Sequence, residues 1–349
     1  MPYNYKNNYI SIAKALGIIL MVVGHSGCPT AIVRFIYLFH MPLFFVCSGY
    51  FFKEISDYTS LLSFYKKRIK GLYLPYLKWS LLFLILHNTF RYLHITESAI
   101  YYKEDYIRRF IKMIFMTDYE LMIRPFWFIK ELLFASIIVA SISFIYSLIS
   151  TKKRPELIFI IAIIGSVISK HIPPIPLIGD CSVLCLSISY YYTGILIYKY
   201  KQFIPLAFPT LILTFIIVLF GSVFFKGTID MRFTNAYNQI PYYISSISGI
   251  IMILCISNKL ETTKNVSLLH YIGNHTMPIL ALNLLALKIG SCLKIWIYGL
   301  PIEQLASFTV IYDHNYWFWL IYTIIGVTIP LLIHFLYLKI VNFMSLVSH

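Results

Sequence analysis

Long apolar segments follow one another along almost the whole chain, separated by short polar connections. About ten of them approach the ~20 residues that an α-helix needs to cross a bilayer. They cover residues 9–26, 32–52, 71–90, 126–149, 156–172, 179–198, 204–225, 237–257, 268–290 and 316–341. Only 12% of the residues are charged, whereas soluble domains carry about 25%. The pattern predicts an all-α, polytopic transmembrane helical bundle of about ten spanning helices. We expect a single membrane domain over residues 1–349, with no fused soluble domain.

The positive charges predict an orientation for this bundle. If the N-terminus is cytoplasmic, fifteen Lys and Arg residues fall in inner segments and six in short outer loops. The inner set is Lys6, Lys53, Lys66, Lys67, Arg68, Lys70, Lys78, Lys152, Lys153, Arg154, Lys199, Lys201, Lys259, Lys264 and Lys339. The outer set is Arg34, Lys170, Lys226, Arg232, Lys288 and Lys294. Because cytoplasmic loops are enriched in Lys and Arg, we expect ten spans with both termini in the cytoplasm.

One long segment departs from this rule. Residues 91–125 are basic but lie outside in this arrangement. From Tyr106 to Met116, basic and apolar residues alternate as in an amphipathic helix that lies at the membrane interface. Long loops constrain topology less than short ones do, so the orientation is kept.

Several protein classes are disfavoured by composition and motifs. The net charge of +15 does not indicate nucleic-acid binding, because Lys and Arg lie between apolar blocks. The six cysteines form no CxxC pair and the histidines show no metal-type spacing, so we expect neither disulfides nor a metal site. The first apolar run resembles a signal peptide, but it contains Lys14 and lacks a cleavage site, so we expect it to be retained. The sequence contains none of the motifs typical of ATP-driven transporters or of ordinary hydrolases, which disfavours both classes.

The first apolar segment contains two ionisable residues, Lys14 and His25. A charge near the centre of a bilayer costs at least ~2.5 kcal/mol, which makes such residues functional candidates. Their spacing along a helix places both side chains on one face, about 16 Å apart. This arrangement suits a ligand with an anionic end and a distant reactive end. Alternatively, Lys14 extends to the cytoplasmic interface and His25 simply ends the span.

A second histidine, His40, lies inside the second apolar segment, where Pro42 is expected to kink the helix and free a carbonyl group. A single histidine in an apolar run is usually structural. However, His25 and His40 belong to adjacent antiparallel helices and both lie toward the outer half. Their proximity favours a site.

The fourth segment begins with further candidates. Lys130 and Glu131 are adjacent and so do not face each other on a helix. Each therefore needs another partner or a water-filled cavity. Trp127 either anchors the helix at the membrane interface or stacks on a sugar ring.

Basic residues also precede the third segment. Arg68 and Lys70 either anchor the topology or bind phosphate groups at a cytoplasmic opening. His270 and His275, before the ninth segment, are expected at its cytoplasmic end, where a structural role is the simpler interpretation.

Several of these blocks resemble the membrane acyltransferase-3 family, which includes O-antigen and fucose O-acetylases. The most specific blocks are IAKALGIILMVVGHS (12–26) and FHMPLFFVCSGYFF (39–52). Further similar blocks are KR-x-x-x-L-x-x-PY (67–76), FWFI (126–129), YTGILIYK (192–199) and YIGNHTMPI (271–279). In this order they extend over most of the chain.

The resemblance implies ten core helices and an acyl donor that is a coenzyme A thioester, often acetyl-coenzyme A, without a metal. It implies that Lys14 and His25 form the family's pair of a basic residue and a histidine with ten residues between them. The resemblance then favours His25 as catalytic base, Lys14, Arg68 and Lys70 as donor-binding residues, and His40, Trp127, Lys130 and Glu131 as substrate-pocket residues. Asn283 stands where many members have histidine, so its role is open.

The resemblance thus predicts O-acylation, most simply O-acetylation, of a cell-surface glycan or its lipid-linked precursor in a bacterial cytoplasmic membrane. A carrier or flippase for a lipid-linked sugar or small solute is the main alternative, although the repeat common in transporters is not evident. A structural envelope protein, in which His25 is dispensable, is the third. The sequence leaves the oligomeric state open.

Overall fold

The structure, a computed structural model, describes residues 8–149, 154–263 and 266–347. Within these ranges the chain forms fifteen α-helices and no β-strand. The first eight are α1 (Tyr9–His25), α2 (Thr30–Tyr37), α3 (His40–Tyr50), α4 (Tyr58–Arg68), α5 (Leu74–Ile85), α6 (His87–Tyr92), α7 (Lys103–Ile114) and α8 (Trp127–Ile149). The others are α9 (Pro155–Ile168), α10 (Cys181–Lys199), α11 (Phe208–Phe224), α12 (Ala236–Glu261), α13 (Ser267–Asn274), α14 (Thr276–Tyr298) and α15 (Phe318–Val347). Of the inner charges used for the topology, Lys6, Lys152, Lys153 and Lys264 lie outside the described residues.

Helices of membrane-spanning length confirm the prediction of a helical membrane protein. Six stretches are long and apolar enough to cross a bilayer. They are Thr30–Tyr50, Leu121–Ile149, Cys181–Lys199, Ala236–Glu261, Thr276–Tyr298 and Phe318–Met344. Helices α1 and α11 are also apolar but contain 17 residues each, about 25 Å of helix against a hydrocarbon core of ~30 Å. The predicted count of ten spans therefore stays a prediction.

Helix α1 lies at the centre of the bundle, in contact with α2, α3, α12, α13, α14 and α15. It begins at Asn8, whose side chain accepts hydrogen bonds from the backbone N–H groups of Ile10 and Ser11. It ends just before Gly27, whose φ of 76° suits a residue without a Cβ atom. The side chains of α1 therefore face the protein interior on most sides, and its polar residues are held at fixed depths.

Two glycines allow α3 and α10 to cross at close range. A Cβ atom added at Gly49 would lie 1.9 Å from the backbone oxygen of Tyr191, and one added at Gly194 would lie 2.1 Å from that of Val46. Small residues at such crossings let transmembrane helices approach backbone to backbone. This packing fixes α3, and with it one wall of each cavity described below.

The predicted second segment is interrupted near Pro42. Helix α2 ends at Tyr37 and α3 begins at His40. Proline has no N–H with which to bond the carbonyl of Leu38, and that oxygen instead accepts a hydrogen bond from Ser246 of α12. The freed carbonyl expected from Pro42 thus ties this break to a neighbouring helix and fixes the start of α3.

Two lysines that were assigned to an outer loop lie in a helix instead. Lys288 and Lys294 were counted in an outer loop, but both belong to α14 and are buried. Removing them from the outer set leaves a larger excess of inner positive charge. The amphipathic helix expected around Tyr106–Met116 corresponds to α7, which leaves Ile107 and Phe110 exposed.

Candidate active site

A cavity of about 280 Å³ lies beside the first half of α1. We call it the Lys14 cavity. Its polar lining consists of Lys14, Ser48, Arg68 and Thr276. The remaining lining is apolar and comprises Ile18, Met21, Met41, Phe44, Cys47, Phe51, Leu72, Phe128, Ile129, Leu132, Met277 and Leu280. The cavity thus combines a cationic region with an apolar interior.

Arg68 is fixed at the Lys14 cavity by aromatic neighbours. Its Nη2 donates a hydrogen bond of 2.8 Å to the hydroxyl of Tyr191, and its guanidinium lies 4.8 Å from the centre of the Phe64 ring. No carboxylate belongs to the described lining of this cavity. Among the described lining residues, Lys14 and Arg68 therefore provide positive charge without a carboxylate beside them, as a site for an anionic ligand requires.

A second cavity, of about 340 Å³, lies at the other end of α1. We call it the His25 cavity. It is lined by Met21, His25, Tyr37, His40, Met41, Arg124, Pro125, Trp127, Asp230, Met231, Arg232, Phe233, Leu284 and Phe308. The structure thus brings His25, His40 and Trp127 together at one cavity, and their roles stay predictions.

The two histidines have different surroundings. His40 Nδ1 lies 3.0 Å from the carbonyl oxygen of Ile36. Because a carbonyl oxygen only accepts, this contact places a proton on Nδ1 and leaves Nε2 of the neutral ring as an acceptor. In the part of the chain that is described, the ring of His25 has no hydrogen-bond partner, although its backbone oxygen accepts one from Thr309. The His25 ring is therefore available to a bound molecule.

An aromatic and charged wall faces these histidines. The guanidinium of Arg232 lies 4.7 Å from the centre of the Trp127 ring, and its Nη2 donates a hydrogen bond of 3.2 Å to Asp230. Its Nε is buried and lacks a partner within the described ranges. Aromatic surfaces beside groups able to form directional hydrogen bonds are suited to polar ring compounds such as sugars.

Met21 and Met41 line both cavities. Both side chains are almost fully buried, at 1% and 7% exposure. Methionine is unbranched and flexible, so it fills irregular space and changes rotamer readily. The cationic cavity and the histidine cavity therefore meet at this methionine pair.

Other predicted site residues lie away from both cavities. Lys130 and Glu131 are buried on α8, whereas Phe128, Ile129 and Leu132 of the same helix face the Lys14 cavity. Their assignment to a pocket stays a prediction. Lys70 is exposed on the π-helical turn Ile69–Tyr73, outside the described lining of the Lys14 cavity.

The amide nitrogen of Asn283 and the ring of His270 have structural partners, whereas Asn283 Oδ1 is buried without one in the described part of the chain. The Asn283 amide donates hydrogen bonds to the carbonyls of Ile279 and Leu280 in its own helix. His270 Nδ1 lies 2.5 Å from the hydroxyl of Ser11, which connects α13 to α1. Neither residue lines either of the two cavities.

Sequence reasoning missed much of the His25 cavity. Tyr37, Asp230 and Phe308 were not candidates, Arg232 was counted only as a positive charge, and Arg124 was covered only as part of the basic segment 91–125. A signal existed for Arg232, because an acidic and a basic residue two positions apart follow an apolar segment. Placing that loop over α1, however, requires the tertiary structure.

These features define an integral membrane protein with a cationic cavity and a histidine-containing cavity that meet inside the helical bundle. The model of the acyltransferase-3 family, described as an acyltransferase domain, matches residues 7–338. The chain therefore belongs to this family and is a membrane acyltransferase, which confirms the resemblance. No curated protein and no solved structure matches the chain.

Proposed function

We propose that the protein is a coenzyme-A-dependent O-acyltransferase, most simply an O-acetyltransferase, that acts on a cell-surface glycan or its lipid-linked precursor. The observation that carries the proposal is the arrangement of the two cavities along α1. The donor enters at Lys14, the acceptor enters at His25, and the acyl group passes between them at Met21 and Met41. In a bacterial cytoplasmic membrane with both termini inside, the donor comes from the cytoplasm and the acceptor from the outer side.

The Lys14 cavity supports the choice of donor. Coenzyme A carries phosphate groups at one end and a thioester at the end of a slender pantetheine arm. Lys14 and Arg68 supply cations for the phosphates, and the apolar lining beyond them suits the arm. A volume of about 280 Å³ is at the lower end for small-molecule sites, so the nucleotide remains at the opening. We assign the exposed Lys70, two residues from Arg68 along the chain, to the same phosphate groups.

The chemistry assigned to His25 is general base catalysis. Its neutral imidazole takes the proton of the acceptor hydroxyl. The oxygen then forms a bond to the thioester carbonyl carbon, and the carbon–sulfur bond breaks. Coenzyme A leaves as a thiolate and takes the proton from the His25 imidazolium, which returns the base to its neutral form. The protonated Nδ1 of His40 is bonded to Ile36, so its Nε2 is available to orient the acceptor.

The His25 cavity supports a carbohydrate acceptor. Trp127 offers an aromatic surface, and Arg232 and Asp230 offer a donor and an acceptor beside it. Proteins bind sugars with this combination because the ring has apolar faces and a polar rim.

Purified protein tests the proposal directly. With radiolabelled acetyl-coenzyme A and glycan from the host envelope, we expect free coenzyme A and labelled glycan to form in equal amounts. The same preparation carrying His25→Ala is the control and should form neither. A carrier would instead move the glycan across a proteoliposome membrane without forming either product, and that result would replace the proposal.

A further inference from the structure

The connection between α14 and α15, residues 299–317, covers the end of α1. We call it the capping loop. Phe308 of this loop lines the His25 cavity, and Val310 and Ile311 are buried. A loop of this length would ordinarily be mobile. Specific contacts are therefore needed to hold the capping loop over the candidate active site.

Two buried lysines of α14 hold the capping loop by its backbone. Lys288 Nζ donates hydrogen bonds of 2.8 Å and 2.7 Å to the carbonyl oxygens of Leu305 and Ser307. Lys294 Nζ donates to the carbonyl oxygen of Ile311 at 2.7 Å and to the side-chain oxygen of Asn315 at 3.3 Å. The exposure of Lys288 and Lys294 is 3% and 0%.

These contacts are unusual for lysine. Burying an ammonium group is costly unless its charge is compensated, yet in the described chain neither lysine forms an ion pair with a carboxylate. The close compensation comes from loop carbonyls and, for Lys294, from the Phe318 ring at 5.2 Å. At longer range the carboxylate of Glu97 acts on Lys288 and that of Asp313 acts on Lys294. Charge-assisted hydrogen bonds are stronger and shorter than neutral ones. The loop backbone is therefore held where these carbonyls meet the two ammonium groups.

The capping loop in turn holds the end of α1. The hydroxyl of Thr309 donates a hydrogen bond of 2.7 Å to the backbone oxygen of His25. The amide of Asn315 donates to the backbone oxygen of Gly27. The last carbonyls of a helix have no partner within that helix and need one from elsewhere. Both contacts act on the backbone that carries the imidazole of His25.

We propose that Lys288 and Lys294 are positioning residues, which set the geometry of His25 through the capping loop. The consequence for catalysis rests on the role proposed above for His25. The position of the His25 ring can be measured separately from catalysis, through its chemical reactivity.

Thr309 offers the sharpest test, because it is the direct link to His25. Thr309→Val keeps the shape of the side chain but removes the donor, whereas Thr309→Ser keeps the hydroxyl. We expect Thr309→Val to lower kcat about 10-fold or more with little change in the KM of the donor, since small misplacements of catalytic groups are costly. Thr309→Ser should stay close to the original protein. Lys294→Met should lower kcat and change the reactivity of His25 as Thr309→Val does, and folded Lys294→Met with the kcat and His25 reactivity of the original protein would overturn the proposal.

A chemical readout separates this proposal from the assignment of the base. The rate at which diethyl pyrocarbonate modifies His25, measured by peptide mass spectrometry, should change in Thr309→Val and not in Thr309→Ser. If His25→Ala remains active, the base assignment fails, but the modification rates still test the positioning. Equal kcat and equal modification rates for Thr309→Val and Thr309→Ser would overturn the proposal.

Discussion

Met21 of α1 and Met41 of α3 lie between the cationic Lys14 cavity and the histidine-containing His25 cavity, and both line each of them. An acyl group that moves from one cavity to the other must pass these two side chains. The flexibility of methionine makes such a passage compatible with a packed interior. The space left by this pair then limits the size of the acyl group.

The first prediction concerns acyl-chain length. Met41→Ala should retain acetyl transfer and raise the relative rate with propionyl- and butyryl-coenzyme A several-fold, because the passage becomes wider. Met21→Phe should have the opposite effect. Initial rates with donors of increasing chain length measure both changes.

The matched control is Met252→Ala. Met252 is also buried but lies on α12, outside the lining of both cavities. Truncating a buried methionine costs about 2–5 kcal/mol, so this variant shows the effect of lost packing alone. A donor profile that is the same for Met41→Ala and Met252→Ala would rule out a passage at the methionine pair.

The second prediction concerns binding of the donor. Lys14→Ala and Arg68→Ala should raise the KM for the coenzyme A thioester about 10-fold, because each removes a cation from a cavity whose described lining contains no carboxylate. Lys14→Arg keeps the charge and should have a milder effect. Raising the ionic strength should raise the KM of the original protein more than that of either alanine variant.

Lys67→Ala provides a control on the same helix as Arg68. Lys67 is exposed and lies outside the described lining of the Lys14 cavity, so its loss should leave the KM unchanged. Lys70→Ala should have a smaller effect than Arg68→Ala, since Lys70 is exposed and lies outside the described lining of the Lys14 cavity. Donor dependence that is unaffected in folded Lys14→Ala and Arg68→Ala would remove both residues from the donor site.

The parts of the site that were predictable lie on single helices. The spacing of Lys14 and His25 requires only helix geometry, and the structure places them in two cavities along α1. The break near Pro42 follows equally from local chemistry. In both cases the residues that determine the structure lie within a few helical turns of each other.

The parts that were missed depend on how distant segments pack. Asp230 and Arg232 reach the His25 cavity from the loop between α11 and α12, and Phe308 reaches it from the capping loop. Periodicity also did not give the rotation of α8 about its axis, so it did not show that Lys130 and Glu131 lie outside the described lining of both cavities. Lys288 and Lys294 were counted in an outer loop, and the sequence did not reveal their burial because their carbonyl partners lie in a loop that folds back over α14.

The third prediction concerns orientation, which the excess of inner positive charge supports. Lys201 and Lys226 flank α11 and are both exposed. In a Cys292→Ser background, which removes an exposed thiol, a membrane-impermeant maleimide should label Lys226→Cys in intact cells. It should label Lys201→Cys only after permeabilisation. The reverse pattern would indicate the opposite orientation, and labelling of both in intact cells would mean that α11 does not span the membrane.

The fourth prediction concerns His25 as the chemical centre. Losing a general base typically lowers the rate by ~10²–10⁴, so His25→Ala should abolish detectable glycan acylation. His25→Gln keeps some hydrogen bonding but cannot accept the proton, and it should fail as well. Acylated glycan measured by mass spectrometry, together with expression level and monodispersity in detergent, distinguishes lost chemistry from lost folding.

Two further histidines complete this experiment. His40→Ala should reduce activity less than His25→Ala. His40, the first residue of α3, donates a hydrogen bond to the carbonyl oxygen of Ile36 in α2. The substitution should therefore also lower the thermal midpoint of unfolding. His171→Ala is the matched control, since His171 is exposed and lies outside the described lining of both cavities. If His25→Ala forms product within a few-fold of His171→Ala, proton removal by His25 is not part of the reaction.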